Sequence, residues 1–147
     1  MSLYYASGPE RYSTGIPSSA FSKGDLLVYT SASSLSRLQT STNSLGAAIA
    51  GIVGVALSTS LESIDNQVPY LVLAHNTVLW SDCTTGSQMT RGEPLDLEYT
   101  GATFRVTTSA ITPLFIIDAN GASNDVIDSN NSRVRGVIDP TYLLFRS

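Results

Sequence analysis

Two stretches decide the fold: FSKGDLLVYTSASSLSRL, residues 21–38, and MTRGEPLDLEYTGATFRV, residues 89–106. Each opens with an apolar residue, a hydroxyl, a cation, a glycine and an acid. A glycine at this place, directly before an apolar strand, indicates a chain reversal that uses backbone angles other residues avoid. In each stretch a short polar loop leads to a second strand. We therefore predict two similar β-hairpin units, and the pattern leaves open internal duplication or local convergence.

Short apolar runs continue along the rest of the chain, for example GIVGVAL, VPYLVLA and TPLFIID, and turn residues bound each of them. Runs of this length, rich in Val, Ile, Thr and aromatic residues, are typical of the strands of a sandwich or barrel. We predict an all-β fold, with a single β-barrel or jelly-roll-like sandwich domain of at least eight strands over residues 21–147. The residues expected in its core, or beneath a subunit interface, are Val53, Val55, Leu71, Leu73, Phe115 and Ile117.

The segment EPLDLEYT has the alternation of a half-buried strand. It places one set of side chains, Leu95, Leu97 and Tyr99, on one face, and the other set, Asp96, Glu98 and Thr100, on the opposite face. We expect the second face to be in water. The carboxylates of Glu93, Asp96 and Glu98 are then a solvated strand face and not the acid pair of a glycosidase.

Residues 1–20 contain almost no aliphatic side chains and carry Pro9 and Pro17, which interrupt a regular strand ladder. This composition predicts an extended N-terminal arm outside the core. Two interpretations remain open: a disordered leader, or an arm that docks on a neighbouring protein. In the second, the contact residues are Tyr4, Tyr5, Arg11 and Tyr12, and deleting the arm would leave the β domain folded.

The composition excludes several classes of partner. The net charge is −4, with one lysine and seven arginines spread singly, so no basic stripe is available for nucleic acid. Apolar runs fall short of the ~18 residues that span a bilayer, which argues against a membrane role. The N-terminal stretch lacks the basic and apolar regions of a signal peptide, so we expect synthesis in a cytoplasm.

Residues with catalytic potential are few. His75 is the only histidine, and no GxSxG or HExxH motif is present, so we expect a turn or surface histidine and no enzyme. Cys83 is the only cysteine, which excludes an internal disulfide and favours a small, semi-buried hydrophobe.

A polar loop near the C-terminus carries oxygen ligands at Asp118, Asn120, Asp125 and Asp128 but lacks the EF-hand spacing. We predict a loop with Asx turns and leave calcium open. Phosphate-binding glycine motifs are also absent, so no cofactor is predicted. No metal site is predicted either.

The order of the strand phrases resembles a known family. KGDLLVY, GIVGVALSTS, VPYLVLAHNTVLW, the second glycine phrase and a closing VRGVIDP follow one another as in the small head-decoration, or cement, proteins of tailed bacteriophages. The resemblance covers about residues 21–140. At one turn His75 and Asn76 stand where the family often has glycine, and asparagine also tolerates left-handed angles.

The resemblance implies a structural, non-enzymatic β-barrel or jelly-roll-like subunit. Such a subunit forms a homotrimer, sits on the outer surface of the capsid in the virion and clamps the major capsid protein. The apolar C-terminal segment then suggests a subunit interface at Tyr142, Leu143, Leu144 and Phe145.

Two alternatives remain. The first is a carbohydrate- or receptor-binding module of a phage fibre, with a concave site lined by aromatic residues such as Trp80. The second is a small hydrolase that uses His75.

Overall fold

The structure, a computed structural model, describes residues 3–31, 34–38, 40–41, 44–45, 51–60, 67–83, 92–100, 103–107, 110, 113–118 and 133–144. Within these ranges the chain forms fourteen β-strands and one short 3-10 helix, Pro140–Tyr142. None of the helical residues in these ranges builds a helix long and apolar enough to cross a bilayer.

The strands in chain order are β1 (Leu3–Ser7), β2 (Arg11–Pro17), β3 (Leu26–Ser31), β4 (Ser34–Arg37), β5 (Thr40–Ser41), β6 (Ser44–Leu45), β7 (Ile52–Ala56), β8 (Val68–Val72), β9 (Val78–Cys83), β10 (Pro94–Leu95), β11 (Leu97–Thr100), β12 (Thr103–Val106), β13 (Phe115–Ile117) and β14 (Arg133–Ile138). The prediction of an all-β fold is confirmed.

Five strands close into a barrel in the order β2-β4-β3-β7-β8. Strand β2 completes the ring, because it runs antiparallel to β8 and parallel to β4. Side chains fill the interior, as expected for a small barrel. The buried interior residues are Phe21, Leu27, Leu35, Val53, Ala56, Val68 and Tyr70.

A seven-stranded sheet packs on the outside of this barrel. Its order is β10-β13-β14-β9-β12-β11, and β1 also pairs with β9. The segment 94–100 reaches both ends of this order, because β10 pairs with β13 and β11 pairs with β12. Strands β5 and β6 form a separate two-stranded sheet.

Strand β7 is part of the wall between two hydrophobic clusters, and all five of its residues are buried. Val53 and Ala56 pack inside the barrel. Ile52 and Val55 pack in the larger cluster between barrel and sheet. Neither face of the strand meets water, which explains why GIVGVAL is apolar at almost every position.

The six predicted core residues are all buried, each with a relative exposure of 1% or less: Val53, Val55, Leu71, Leu73, Phe115 and Ile117. The expected glycine turns are also confirmed, since Gly24 has φ 92° and Gly92 has φ 81°. The first turn leads into the barrel and the second into the sheet, so the two similar phrases build different parts of one β domain.

The prediction of an N-terminal arm outside the core is wrong for residues 3–17. Strand β1 pairs with β9, and Leu3 is buried in the cluster between barrel and sheet. Strand β2 is a member of the barrel. The residues from Arg11 to Thr14 are exposed on a strand held by backbone hydrogen bonds, so their polar sequence gave no sign of a strand.

The prediction of a wet strand face is also wrong for Asp96 and Glu98, whereas the side chain of Thr100 lies outside the described residues. Alternation holds, with Leu95 and Leu97 in the core, but Asp96 is 0% exposed and Glu98 6%. Glu98 is ion-paired with Arg105 of the neighbouring strand β12, which compensates its burial.

Candidate functional site

The outer face of the seven-stranded sheet, which points away from the barrel, carries the most distinctive set of side chains. Alternation turns Leu79 and Val134 into the core and leaves their strand neighbours on the outer face. Tyr4 of β1 pairs in register with Trp80 of β9, and Trp80 pairs with Arg135 of β14. Three neighbouring strands thus place these residues in one row.

Arg133 joins this row, and we call Tyr4, Trp80, Arg133 and Arg135 the aromatic–arginine cluster. The guanidinium carbon of Arg133 lies 5.6 Å from the Tyr4 ring centroid and 5.5 Å from that of Trp80. The guanidinium carbon of Arg135 lies 5.8 Å from the Trp80 centroid. These distances are within cation–π range. Arg133 also donates a hydrogen bond from Nη1 to the Tyr4 hydroxyl.

Carboxylates balance the charge of this face. The Arg135 Nε lies 3.7 Å from Asp118 Oδ2, and the Arg135 side chain keeps 30% exposure. Arg105 Nε donates to Glu98 Oε1 further along the sheet. All four members of the cluster are half-buried, so they hold one another in place and still reach solvent.

A concave site lies elsewhere, at the open end of the barrel. This barrel-mouth groove has a volume of about 310 Å³ and is lined by Pro9, Arg11, Tyr12, Ser13, Tyr70, Val72 and Ala74. Arg11 pairs with Val72 in register and Ser13 with Tyr70, so all four share the strand face that points into the barrel. Tyr70 forms the buried floor, and its hydroxyl lies 3.1 Å from the Tyr29 hydroxyl.

The alternative of a carbohydrate-binding module predicts that Trp80 lines a concave site. Trp80 stands on the sheet face, next to Arg133 and Arg135. The groove at the barrel mouth is lined by Tyr12 and Tyr70 instead.

The four predicted contact residues of the N-terminal segment are divided among three places. Tyr4 belongs to the aromatic–arginine cluster. Tyr5 packs against the core, and its hydroxyl donates to the Gly8 carbonyl at 2.8 Å. Arg11 and Tyr12 lie together at the barrel-mouth groove.

The predicted C-terminal interface is divided as well. Leu143 is 1% exposed, pairs with Ile52 and fills the core of its own chain, so its prediction as an interface residue is wrong. Tyr142 is half-buried against the same core, and Leu144 is 49% exposed. Phe145 lies outside the described residues.

The single histidine and the single cysteine lie where the sequence predicts. His75 is exposed in the turn between β8 and β9. Cys83 is 6% exposed and packs as a hydrophobe between barrel and sheet.

The polar loop near the C-terminus lies within the described residues only at its start. Asp118 pairs with Arg135, whereas Asn120, Asp125 and Asp128 lie outside the described residues. Across the described ranges, no three His, Cys, Asp or Glu residues come together as a metal site.

The sequence alone does not single out Arg133 and Arg135, although the alternation in RVRGVI places both on one strand face. No protein-family model matches the chain, and the search of curated proteins also found no match.

Proposed function

We propose that this protein is a structural virion subunit: a capsid decoration, or cement, protein. It is made in the cytoplasm of the host bacterium, binds the outer surface of a phage head and stabilises the lattice of the major capsid protein. The observation that supports this most is the aromatic–arginine cluster on the outer face of the sheet. The sequence resemblance supplies the capsid as partner.

The chemistry of the cluster suits adhesion. Trp, Tyr and Arg are the residue types that most often dominate the binding energy of protein interfaces. Each offers a large planar surface together with a hydrogen-bond donor. A polar surface with carbonyl or carboxylate acceptors is therefore the complementary partner.

The scaffold adds to the affinity because it fixes the cluster before binding. Strand pairing sets the spacing of Tyr4, Trp80 and Arg135, and the cation–π contacts restrict their rotamers. Side chains that are already ordered lose little conformational entropy when a partner binds. A rigid face of this kind can hold adjacent capsid subunits in a fixed relation.

The test is co-sedimentation with phage heads that lack the subunit, prepared from the phage whose genome encodes the chain. Wild-type protein should pellet with the heads and raise their melting temperature. Arg133→Gln and Trp80→Ala should each weaken binding about tenfold or more, since hot-spot truncations cost at least that.

Tyr12→Ser is the matched control, because Tyr12 is an exposed aromatic residue away from the cluster. It should bind heads like the wild type. Each variant is first shown to melt like the wild type. Full binding by both cluster variants would refute the role of this face, and absence of wild-type binding would refute the capsid role.

We propose further that the subunit is a homotrimer, which the family resemblance implies. Leu144 is the exposed apolar residue of the described C-terminal segment that is available to a neighbouring copy. Sedimentation equilibrium at about 10 μM should give three times the mass of the chain. Leu144→Ser should lower the mass, whereas Ile16→Ser, at another exposed apolar position, should not. A wild-type monomer at this concentration would refute the trimer.

A further inference from the structure

A buried hydroxyl and a close backbone contact fix the walls of the barrel-mouth groove. Thr77, 1% exposed, donates from Oγ1 to the Pro9 carbonyl at 3.2 Å, and the same oxygen accepts from the Ala74 N–H at 3.2 Å. A Cβ on Gly8 would lie 2.3 Å from the Asn76 carbonyl oxygen, so only glycine lets the loops before β2 and after β8 approach this closely. Pro9 and Ala74 both line the groove, so its walls are in place before a ligand binds.

Two polar side chains of β2 face the groove together. Arg11 pairs in register with Val72. Ser13 pairs in register with Tyr70. Both partners on β8 pack in the cluster inside the barrel, so alternation turns Arg11 and Ser13 to this side as well. The two residues are exposed at the open end of the barrel, where a ligand can reach them.

The charge of Arg11 is not neutralised at the groove. Tyr12 pairs with Leu71, which packs outside the barrel, so the Tyr12 ring lies on the opposite face of β2. The Tyr12 hydroxyl donates to the Glu10 carboxylate, which is therefore engaged on that opposite face. Among the described residues, no carboxylate forms an ion pair with Arg11. The groove thus offers a guanidinium group that can receive an anion.

The rest of the groove is apolar and poor in hydrogen-bond acceptors. Its apolar lining consists of Pro9, Val72, Ala74 and the ring of the buried Tyr70. The Pro9 carbonyl already accepts from Thr77. None of the described lining residues carries a carboxylate or a carboxamide. The volume of about 310 Å³ is at the lower end of the range for small-molecule sites, so the ligand must be small, with an anionic end and an apolar body.

We infer that the barrel-mouth groove binds a small monocarboxylate with an apolar body, such as an aromatic acid. The carboxylate accepts hydrogen bonds from the Arg11 guanidinium, whose planar donors match its two oxygens, and from the Ser13 hydroxyl. The hydrocarbon part lies against Val72 and the Tyr70 ring. This site lies apart from the aromatic–arginine cluster and does not depend on the capsid role.

The test is a titration of the isotope-labelled chain with sodium benzoate, followed by two-dimensional NMR. Benzoate should shift the amide signals of Val72 and Ala74 and leave that of Val134 unchanged, with a dissociation constant of about 1 mM. Benzamide has the same shape without the charge, and it should bind about tenfold more weakly because it loses the charge-assisted hydrogen bonds. Inorganic phosphate, an anion without an apolar body, should also bind about tenfold more weakly.

Two substitutions in the groove are compared with matched controls outside it. Arg11→Gln should weaken benzoate binding about tenfold, and Ser13→Ala about threefold, as expected for a charged and a neutral hydrogen-bond donor. Lys23→Gln removes an exposed positive charge elsewhere, and Thr14→Ala removes a hydroxyl from the opposite face of β2. Both controls should bind benzoate like the wild type.

Each variant is first shown to melt like the wild type. Absence of saturable shifts with benzoate would overturn the proposal, and so would equal binding of benzoate and benzamide or of benzoate and phosphate. Binding that survives Arg11→Gln would also overturn it. Trp80→Ala, on the sheet face, should retain benzoate binding even where it loses capsid binding, because the two sites are separate.

Discussion

Backbone hydrogen bonds of Gly24 connect the turn before β3 with β1 of the sheet and with β7 of the barrel. The Leu3 N–H donates to the Gly24 carbonyl at 3.2 Å, and the Gly24 N–H donates to the Ala56 carbonyl at 2.8 Å. Asp25 closes the turn, because its Oδ2 accepts from the Ser22 N–H at 2.9 Å. Its other oxygen, Oδ1, is buried without a hydrogen-bond partner among the described residues. Hydrogen bonds therefore fix the conformation of this turn. The incomplete hydrogen bonding of the buried Asp25 carboxylate lowers the free energy of unfolding.

Asp25→Asn should reduce the pH dependence of stability. Burial raises the pKa of Asp25 above its usual value, although the Ser22 N–H and the charge of Arg37 act in the opposite direction. The folded state therefore holds the proton more tightly than the unfolded state, and the free energy of unfolding falls as pH rises from about 4 through the folded pKa. Melting temperatures from pH 4 to pH 7 should fall less in the variant. Glu10→Gln, an exposed control, should follow the wild type, and parallel curves for Asp25→Asn would contradict the expectation.

Gly54→Ala should destabilise the protein by about 3 kcal/mol, the upper range for overpacking. A Cβ on Gly54 would lie 2.2 Å from the Leu71 carbonyl oxygen and 2.5 Å from Cδ2 of Tyr70. Gly92→Ala is the comparison, because nothing lies within 4 Å there and only its φ of 81° opposes the change. It should cost about 1 kcal/mol. Urea denaturation measures both, and equal losses would show that packing at Gly54 is not tight.

Strands β1 and β2 show why an alternating apolar pattern is not required for a strand. Strand β2 exposes most of its side chains but pairs with β8 on one side and β4 on the other. Its stability comes from backbone hydrogen bonds and from Gly15, which makes room for Leu35. The prediction of an arm depends on side-chain composition, here polar residues between two prolines. Composition carries no information about which backbone groups pair.

Deletion of residues 1–19 should abolish the cooperative melt. The deletion removes β2 and opens the barrel, which leaves the edges of β4 and β8 unpaired. It also removes Leu3 from the core. Circular dichroism during heating measures the result. Deletion of residues 1–2 alone is the control and should melt normally; a normal melt of the long deletion would restore the arm.

The barrel and the sheet are interleaved along the chain. Strand β1 belongs to the sheet, the next strands build the barrel, and β9 returns the chain to the sheet beside β1. The barrel is thus inserted between two parts of the same sheet. Side chains also bridge the two layers: the Arg37 guanidinium of β4 lies 3.7 Å from the Tyr99 ring centroid of β11.

A double-mutant cycle on Arg37 and Tyr99 should give a coupling energy of about 1 kcal/mol, as expected for a cation–π pair. The variants are Arg37→Gln, Tyr99→Leu and the double change, each measured by urea denaturation. Arg11→Gln with Tyr99→Leu is the control cycle, because Arg11 lies on β2 of the barrel and Tyr99 on β11 of the sheet, two strands that do not pair. A coupling near zero in the first cycle would mean that the Arg37–Tyr99 contact does not stabilise the packing of the two layers.

The sequence predicted the parts of the molecule that depend on local pattern. Short apolar runs identified the core strands, and Gly24 and Gly92 identified turns whose backbone angles exclude most residues. The candidate site depends on register between distant strands. Tyr4, Trp80 and Arg135 become neighbours only when β1 and β14 flank β9, and no local pattern encodes that pairing.

The position of β7 has a consequence for the slowest motions of the molecule. Its amides bond to strands on both sides, and its side chains are buried in both clusters. No local opening can expose them to water without separating the barrel from the sheet. Hydrogen–deuterium exchange at Val53 and Val55 should therefore require global unfolding, with a protection free energy equal to the free energy of unfolding. Amides of β2 near Tyr12 should exchange sooner through local opening of this strand, whose side chains are mostly exposed, although Tyr12 and Val55 both pair in register with Leu71.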